Sequence, residues 1–225
     1  MERVGVIVVA AGAGKRMAGT DKIFIPLAGK PLLAYTLGAF QSCSAVDDIV
    51  LVLPQGRLNE GKQLIEEHDI SKVKDICAGG ERRQDSVKAG LQRLGGCRWV
   101  LIHDGARPCV SRRLIEDSLE VVRDSGAAIP VIPVGDTIKI VSDDLYVEGT
   151  LSRDRLWLVQ TPQSFRFDII NEAHHQAQGD VTDDAMLVER LGYKVRVFPG
   201  SRANIKVTTP DDLPIAEAIL KNIDR

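Results

Sequence analysis

Short runs of β-branched and other apolar residues alternate along the chain with segments in which apolar residues recur every three or four positions. The runs predict buried strands, and the periodic segments predict amphipathic helices. Strands that alternate with helices of this length indicate an α/β fold with a mostly parallel sheet covered on both faces. Strands are predicted at 4–10, 48–53, 73–77, 98–103, 127–133 and 193–198, and helices at 31–40, 58–67, 84–94, 112–124, 167–178, 183–191 and from 209 onward.

The pattern changes between about 135 and 157, where the helical period is lost. An apolar run at 138–141, a polar turn at 142–144 and a second run at 146–148 predict a β-hairpin. We interpret residues 136–156 as an arm inserted into a single Rossmann-like, doubly wound domain that spans 1–225. Such an arm would pack on another molecule; an edge hairpin on the same sheet is the alternative.

Composition and charge narrow the functional class. The chain has 225 residues, 44% of them hydrophobic and 27% charged, and a net charge of −2. A near-neutral chain disfavours a nucleic-acid coat protein, and there is no apolar stretch of the roughly 18 residues that a membrane span needs. The apolar run near the N-terminus is short and lacks a basic flank, so we interpret it as a strand rather than a signal peptide. Four scattered cysteines without C-x-x-C spacing indicate free thiols in a cytoplasmic protein and argue against a zinc site.

The first predicted strand runs into a loop rich in small residues and cations, followed soon by Lys22. A phosphate-binding P-loop would need Ser or Thr where Arg16 stands, and a dinucleotide fingerprint would need Gly where Met17 stands, so both motifs fail. The loop nevertheless follows a strand at the carboxyl edge of the sheet, where α/β proteins bind ligands. Its cations suit a triphosphate, although a tight turn with solvated charges is the alternative. The loop reads Ala10-Ala11-Gly12-Ala13-Gly14-Lys15-Arg16-Met17.

With three further segments, this loop resembles a family of sugar-phosphate nucleotidyltransferases, the 2-C-methyl-D-erythritol 4-phosphate cytidylyltransferases. The resemblance extends from Val4 to Leu220, and its strength lies in the order of the segments rather than in any one of them. It implies transfer of a cytidylyl group from CTP to the sugar phosphate with release of pyrophosphate. The further segments are Gly79-Gly80-Glu81-Arg82-Arg83-Gln84-Asp85-Ser86-Val87, His103-Asp104-Gly105-Ala106-Arg107-Pro108 and Asn204-Ile205-Lys206-Val207-Thr208.

The resemblance also implies roles for individual residues. Arg16 and Lys22 would stabilise the pentacoordinate transition state, and Asp104 is a candidate ligand for a Mg²⁺ ion held mainly by the CTP phosphates. Ile23, where the family commonly has Gln, is interpreted as a packing residue. CTP would contact Ala10, Ala11, Gly12, Ala13, Gly14, Lys15, Gly79, Gly80, Glu81, Arg83, Ser86, Asp104 and Gly105. The sugar phosphate would contact Arg107, Thr137, Arg153, Thr161, Thr182 and Lys206, with Thr137 and Arg153 reaching the neighbouring subunit's site through the arm of a homodimer.

This chemistry needs no general base, because a phosphate monoester with a second pKa near about 6 is already ionised at neutral pH. Cations and positioning would supply most of the catalysis. Structural alternatives stay open for four residues. Ser86 and Thr182 could be helix caps, and Asp104 and Arg107 could form an ion pair that only holds a turn.

Three other functions also stay open: a ribitol-5-phosphate cytidylyltransferase, a nucleotidyltransferase that uses another base, and a CTP-binding sensor without activity. The length leaves no room for a fused second enzyme, and no transit peptide is recognisable, so a bacterial cytoplasmic enzyme is expected.

Overall fold

The computed structural model describes residues 2–12 and 22–222, and for Lys22 it describes the backbone alone. All of the predicted strands and helices are present, with ends shifted by at most three residues. The strands are β1 (Val4–Val9), β2 (Pro26–Leu27), β3 (Lys30–Pro31), β4 (Asp48–Leu53), β5 (Val73–Ala78), β6 (Trp99–Asp104), β7 (Ala127–Pro133), β8 (Ile138–Val141), β9 (Val147–Leu151), β10 (Trp157–Val159), β11 (Gln163–Arg166) and β12 (Arg196–Pro199). The helices are α1 (Leu32–Ser42), α2 (Leu58–Glu67), α3 (Arg83–Leu91), α4 (Arg112–Ser125), α5 (Phe167–His175), α6 (Asp184–Arg190) and α7 (Asp212–Leu220).

The central sheet is mostly parallel, as the sequence predicts. Its strands follow the order β10-β7-β11-β6-β1-β4-β5, and β12 pairs with β7. Strands β6, β1, β4 and β5 pair parallel to one another. The antiparallel members are β10 and β11, which the sequence analysis did not predict. The four parallel neighbours therefore bring their carboxyl ends to one edge of the sheet.

Helices cover both faces of this sheet, so the fold is doubly wound. Strand β1 shows how the two faces are filled, because successive side chains of a strand point to opposite faces. Val4, Val6 and Val8 pack in the cluster that contains residues of α1 and α4. Ile7 packs on the other side, in the cluster that contains residues of α3, α5 and α6. A strand buried on both faces reads as a continuous apolar run, and this explains the sequence signal.

The predicted hairpin forms its own two-stranded sheet from β8 and β9. The alternative, an edge hairpin on the central sheet, is therefore wrong for the paired residues. Leu145, Tyr146 and Val147 at its tip are 85%, 77% and 62% exposed. The hairpin projects apolar side chains that the described part of the chain leaves uncovered.

Two helix starts differ from the expectation. Helix α6 is capped by Asp183, whose side chain accepts the N–H of Met186 at 3.1 Å, so Thr182 is not its cap. Helix α7 begins at Asp212 rather than at Thr209 and Pro210. The Asp212 carboxylate instead accepts the N–H groups of the preceding two threonines, at 2.7 and 2.8 Å. Within the described residues, no helix combines the length and apolar character that crossing a membrane requires.

Candidate active site

The carboxyl edge of the parallel strands carries the first of two adjoining cavities, with a volume of about 220 Å³. Strands β1 and β6 pair from Val4 opposite Trp99 to Val9 opposite Asp104, so the segments that follow them start side by side. The segment after β5 reaches the same place. The lining residues are Val9, Ala10, Ala11, Gly12, Ile23, Gly80, Glu81, Arg82, Arg83, Ser86, Asp104, Ala106 and Lys206.

The turn after β5 is held in shape by Ser86. The Ser86 hydroxyl accepts the N–H of Gly80 at 3.2 Å and donates to the carbonyl of Arg82 at 3.2 Å. Helix α3 begins at Arg83 with Arg82 as its cap residue, and the Asp85 carboxylate accepts the Arg82 N–H at 3.2 Å. The alternative that Ser86 caps this helix is therefore wrong. Ser86 closes the turn from inside the helix and lines the cavity.

Glycine is required at two places where the loop after β1 touches a neighbouring loop: at Gly79 after β5 and at Gly105 after β6. A Cβ on Gly79 would overlap the Cβ of Ala11 and would lie 2.5 Å from the Ser86 hydroxyl oxygen. A Cβ on Gly105 would lie 2.8 Å from the Cβ of Ala10. Neither glycine lines the cavity. Both let the loops approach closely enough to form its wall.

Three cations surround one carboxylate at the floor of the cavity. Asp104 lies 2.8 Å from Lys206 Nζ, 3.2 Å from Arg83 Nε and 3.6 Å from Arg107 Nε. Burial acts to raise the pKa of Asp104, but the attraction of Arg83 and Lys206 outweighs it and holds the pKa well below its usual range. The carboxylate is therefore ionised at neutral pH. The expected Asp104–Arg107 pair exists as part of this larger cluster.

The backbone of Asp104 is fixed by a buried relay of hydrogen bonds. The Asp104 N–H donates to the Thr161 hydroxyl at 3.1 Å, and that hydroxyl lies 3.1 Å from His103 Nδ1. The other ring nitrogen, Nε2, is 3.2 Å from the Arg107 carbonyl, which can only accept. Nε2 therefore carries the proton and Nδ1 accepts from Thr161. Burial lowers the pKa of His103 to about 4, which keeps the ring neutral.

A second cavity, of about 240 Å³, adjoins the first. It shares Arg83, Asp104 and Lys206 with the first cavity, so these three residues stand at the junction. The Arg107 guanidinium also lines it and donates through Nη1 to the Asn204 carbonyl at 2.7 Å. The remaining lining residues are Val159, Gln160, Thr161, Gln163, Thr182 and Asp183.

Two adjoining cavities around shared cations would suit several kinds of group-transfer enzyme. Similarity to known proteins shows to which of these kinds the chain belongs. A family model described as 2-C-methyl-D-erythritol 4-phosphate cytidylyltransferase matches residues 4–222. The chain belongs to this family. A relative of that name from Dehalococcoides mccartyi (strain CBDB1) is 52% identical over 220 residues, covering 98% of this chain and 97% of the relative. Another, from Alkaliphilus oremlandii, is 46% identical over 228 residues and covers 98% and 96%.

Solved structures agree with the family assignment. The crystal structure of 4-diphosphocytidyl-2C-methyl-D-erythritol synthase from Anaerococcus prevotii has a TM-score of 0.84 at 32% identity, covering 98% of this chain and 96% of that one. The crystal structure of 2-C-methyl-D-erythritol 4-phosphate cytidylyltransferase from Thermus thermophilus has a TM-score of 0.82 at 34% identity, covering 98% and 100%. The likeness extends over nearly the whole of each chain.

The cytidylyltransferase fold brings together most of the residues that the sequence singled out. Ile23 is 4% exposed and packs in the core beside the first cavity, as predicted. Ala13, Gly14, Lys15 and Arg16 lie outside the described residues, as does the Lys22 side chain. Thr137 and Arg153 line neither cavity of this chain. Arg153 instead donates through Nη1 to the Gly135 carbonyl near the base of the hairpin.

Several polar residues of the second cavity were not predicted from the sequence. Gln160, Gln163 and Asp183 line it although no role was predicted for them. Gln163 is fully buried and donates to the Asp183 carboxylate at 2.8 Å. Their place in the sequence could have indicated a role for the two glutamines. Gln160 and Gln163 flank Thr161 and Pro162 in a short polar segment between apolar runs.

Proposed function

We propose that this chain transfers a cytidylyl group from CTP to 2-C-methyl-D-erythritol 4-phosphate. A phosphate oxygen of the sugar phosphate attacks the α-phosphorus of CTP in line, the bond to the β-phosphate breaks, and pyrophosphate leaves. The products are 4-diphosphocytidyl-2-C-methyl-D-erythritol and pyrophosphate. The observation that carries the proposal is the junction of two cavities at Arg83, Asp104 and Lys206, because the reaction must bring two anions together at one point.

The first cavity suits CTP. Its wall combines the small residues after β1 with the turn after β5, whose backbone groups and Ser86 hydroxyl can recognise the amine and acceptors of cytosine. Gly80 and Glu81, which line the cavity, are the proposed base-reading residues, whereas Gly79 acts by letting the loops approach each other. Ala10, Ala11 and Gly12 leave room for phosphates close to the backbone, and Asp104 would face the ribose and the phosphates.

The second cavity suits the sugar phosphate. Arg107 and Lys206 supply charge for a dianion, and Thr182 is free of any capping role, so its hydroxyl can face the substrate. The Thr161 hydroxyl already gives its proton to His103 and accepts the Asp104 N–H. Thr161 can therefore accept from a substrate hydroxyl but has no proton left to donate to a phosphate.

Electrostatic stabilisation is the main task of this site. Arg83, Arg107 and Lys206 gather around Asp104, and Arg83 also contacts Asp184, so three cations lie close to where the phosphates would meet. Each cation at about 4 Å contributes roughly 4 kcal/mol at an effective dielectric of about 20, before desolvation. Arg16 and Lys22 are proposed to stabilise the charge that develops on the α-phosphoryl group, and Lys15 to hold the phosphates.

The residues present fit a Mg²⁺ ion that arrives with CTP. No cluster of three or more His, Cys, Asp or Glu side chains that could hold a metal occurs among the described residues. Mg²⁺ commonly takes one or two carboxylates and completes its shell with phosphates and water. Asp104 accepts from Arg83 and Lys206, but an ionised carboxylate has about four lone-pair sites, so one oxygen can also bind the ion. Bound there, Mg²⁺ would neutralise phosphate charge.

We also propose that the chain acts as a homodimer through residues 136–156, inserted into a single catalytic domain. Trp157, Leu158 and Val159 of β10, which follow the hairpin along the chain, are also 41% to 52% exposed. A concentration of exposed apolar side chains is typical of an interface. Thr137 and Arg153 would then reach the partner's second cavity, consistent with their absence from either cavity here. Cys43, Cys77 and Cys97 are buried free thiols, which supports a cytoplasmic location.

Pyrophosphate release tests the function. Purified protein is mixed with CTP, Mg²⁺ and 2-C-methyl-D-erythritol 4-phosphate, with ribitol 5-phosphate and each other nucleoside triphosphate in parallel. We expect turnover only when CTP is combined with 2-C-methyl-D-erythritol 4-phosphate. Turnover with ribitol 5-phosphate alone would keep the CTP cavity but overturn the assignment of the second cavity. CTP binding without turnover on either sugar would favour a sensor. Sedimentation of the same sample tests the homodimer.

A further inference from the structure

Arg83 is anchored from two sides at the junction of the cavities. Its Nη1 donates to Asp184 at 2.6 Å and its Nε donates to Asp104 at 3.2 Å. These contacts engage two of the five N–H groups of a guanidinium. A quarter of the side chain remains exposed, and it lines both cavities. The orientation of Arg83 therefore depends on two carboxylates with different surroundings.

Asp184 differs from Asp104 because it lines neither cavity. Its side chain is 1% exposed, and its second oxygen lies 3.1 Å from Nε2 of His174, whose side chain is 2% exposed. The carboxylate can only accept, so His174 Nε2–H donates to it. The three side chains form a chain of contacts from the core between α5 and α6 to the junction: His174, Asp184, Arg83.

The backbone around Asp184 is fixed as well. Oε1 of the buried Gln163 accepts the N–H groups of Asp184 and Ala185, at 3.1 and 3.2 Å. Asp183 caps the same helix. Asp184 is thus the first residue of a helix whose start is held by several hydrogen bonds, so its carboxylate has little freedom to follow Arg83 if the latter moves.

We propose that Asp184 and His174 are positioning residues that hold the Arg83 guanidinium at the junction, where it contacts the phosphates of both substrates. The proposal rests on the proposed function, because it takes Arg83 to be a substrate contact. Without the charge on Asp184, Arg83 would be drawn toward Asp104, which it would then share more closely with Lys206. The guanidinium would leave the position between the cavities, and a shift of about 1 Å at a reacting centre can cost about 100-fold in rate.

A double-mutant cycle tests this inference. Asp184→Asn keeps the shape and one acceptor but removes the charge, and it is measured alone and together with Arg83→Ala. We expect Asp184→Asn alone to lower kcat by about 10- to 100-fold. In the Arg83→Ala background the same change should have almost no further effect on kcat, because the residue that it positions is gone. His175→Ala, on the exposed neighbour of His174, is the matched control and should leave kcat unchanged.

A second pair of variants keeps the test independent of folding defects in Asp184→Asn. His174→Ala should lower kcat, and His174→Gln, which restores an N–H donor, should recover most of the loss. A purely structural role predicts that each change lowers the melting temperature and reduces kcat by the same factor with or without Arg83, and this result would overturn the proposal. Normal kcat in Asp184→Asn with impaired Arg83→Ala would also overturn it. Normal kinetics of Arg83→Ala would instead refute the assignment of Arg83 to the site.

Discussion

The loops that follow β1 and β5 approach each other closely at Gly79, and this contact yields a sharp prediction for Gly79→Ala. The new methyl carbon would overlap Ala11 Cβ and would lie 2.5 Å from the Ser86 hydroxyl oxygen and 3.2 Å from Ser86 Cβ. The backbone of Gly79 cannot move away freely, because its N–H donates to the Leu53 carbonyl at 2.8 Å. One of the two loops that form the first cavity must therefore shift.

The size of the effect follows from these contacts. Overpacking by one methyl group typically costs about 1–3 kcal/mol of folding stability, and a contact this short on a fixed backbone belongs at the upper end. The displaced groups are those assigned to the base and the phosphates of CTP, so kcat/KM for CTP should fall by about 10- to 100-fold. The KM for the sugar phosphate should change far less, because Gly79 does not border the second cavity.

Urea unfolding and pyrophosphate-release kinetics with varied CTP would measure both effects. Gly38→Ala is the matched control: Gly38 lies inside α1, and a Cβ there would meet nothing within 4 Å. Alanine in a helix interior is favoured over glycine by up to about 1 kcal/mol, so this variant should be as stable as the wild type or more stable, with unchanged kinetics. A Gly79→Ala protein with wild-type stability and wild-type KM for CTP would refute the inferred contact between the loops.

Three further predictions concern the cations and the buried histidine. Arg153→Ala should raise the KM for the sugar phosphate far more than the KM for CTP in steady-state assays, and equal effects on both would contradict its assignment. Lys206→Met removes a charge-assisted contact worth about 1.5–3 kcal/mol, so kcat/KM should fall by about 10- to 100-fold, whereas an unchanged value would place Lys206 outside the site. Burial lowers the pKa of His103 to about 4 from 6.5, so the unfolded chain binds this proton first and stability is lost as the pH falls from about 6.5 to about 4. His103→Gln should flatten that part of the pH dependence of urea unfolding, and an unchanged slope would show that other groups cause it.

The parallel strands were predictable because a strand buried on both faces appears in the sequence as a continuous apolar run. Their helices were predictable because apolar residues recur every three or four positions along them. Strands β10 and β11 gave no such signal. Strand β10 is exposed along its whole length, and β11 places the polar Gln163 and Ser164 at fully buried positions. Those two residues are stabilised by partners distant in sequence, and local patterns carry no information about such partners.

The helix caps illustrate a related limit. Thr182 and Asp183 are both good cap residues, and the sequence favoured the first. The structure selects Asp183, whose carboxylate accepts the Met186 N–H through one oxygen and the Gln163 amide through the other. A hydroxyl could not accept both bonds with the same geometry. The bond to Gln163, 20 residues away in the sequence, therefore favours Asp183 as the cap. Thr182 is left to line the second cavity.

Asp104 and Asp184 both contact Arg83 but differ in their access to ligands, and this difference could not be predicted from the sequence. Cations gathered for anionic substrates repel one another before the substrates arrive, and carboxylates offset that repulsion. Asp184 is 1% exposed and lines neither cavity, so a ligand in the cavities would not compete with it for Arg83. Asp104 lines both cavities and contacts Arg83, Arg107 and Lys206, so phosphates bound as proposed would compete with it for the same donors. On the proposed mechanism, Asp184 therefore fixes the position of Arg83, and Asp104 sets how much cationic charge is available to CTP and the sugar phosphate.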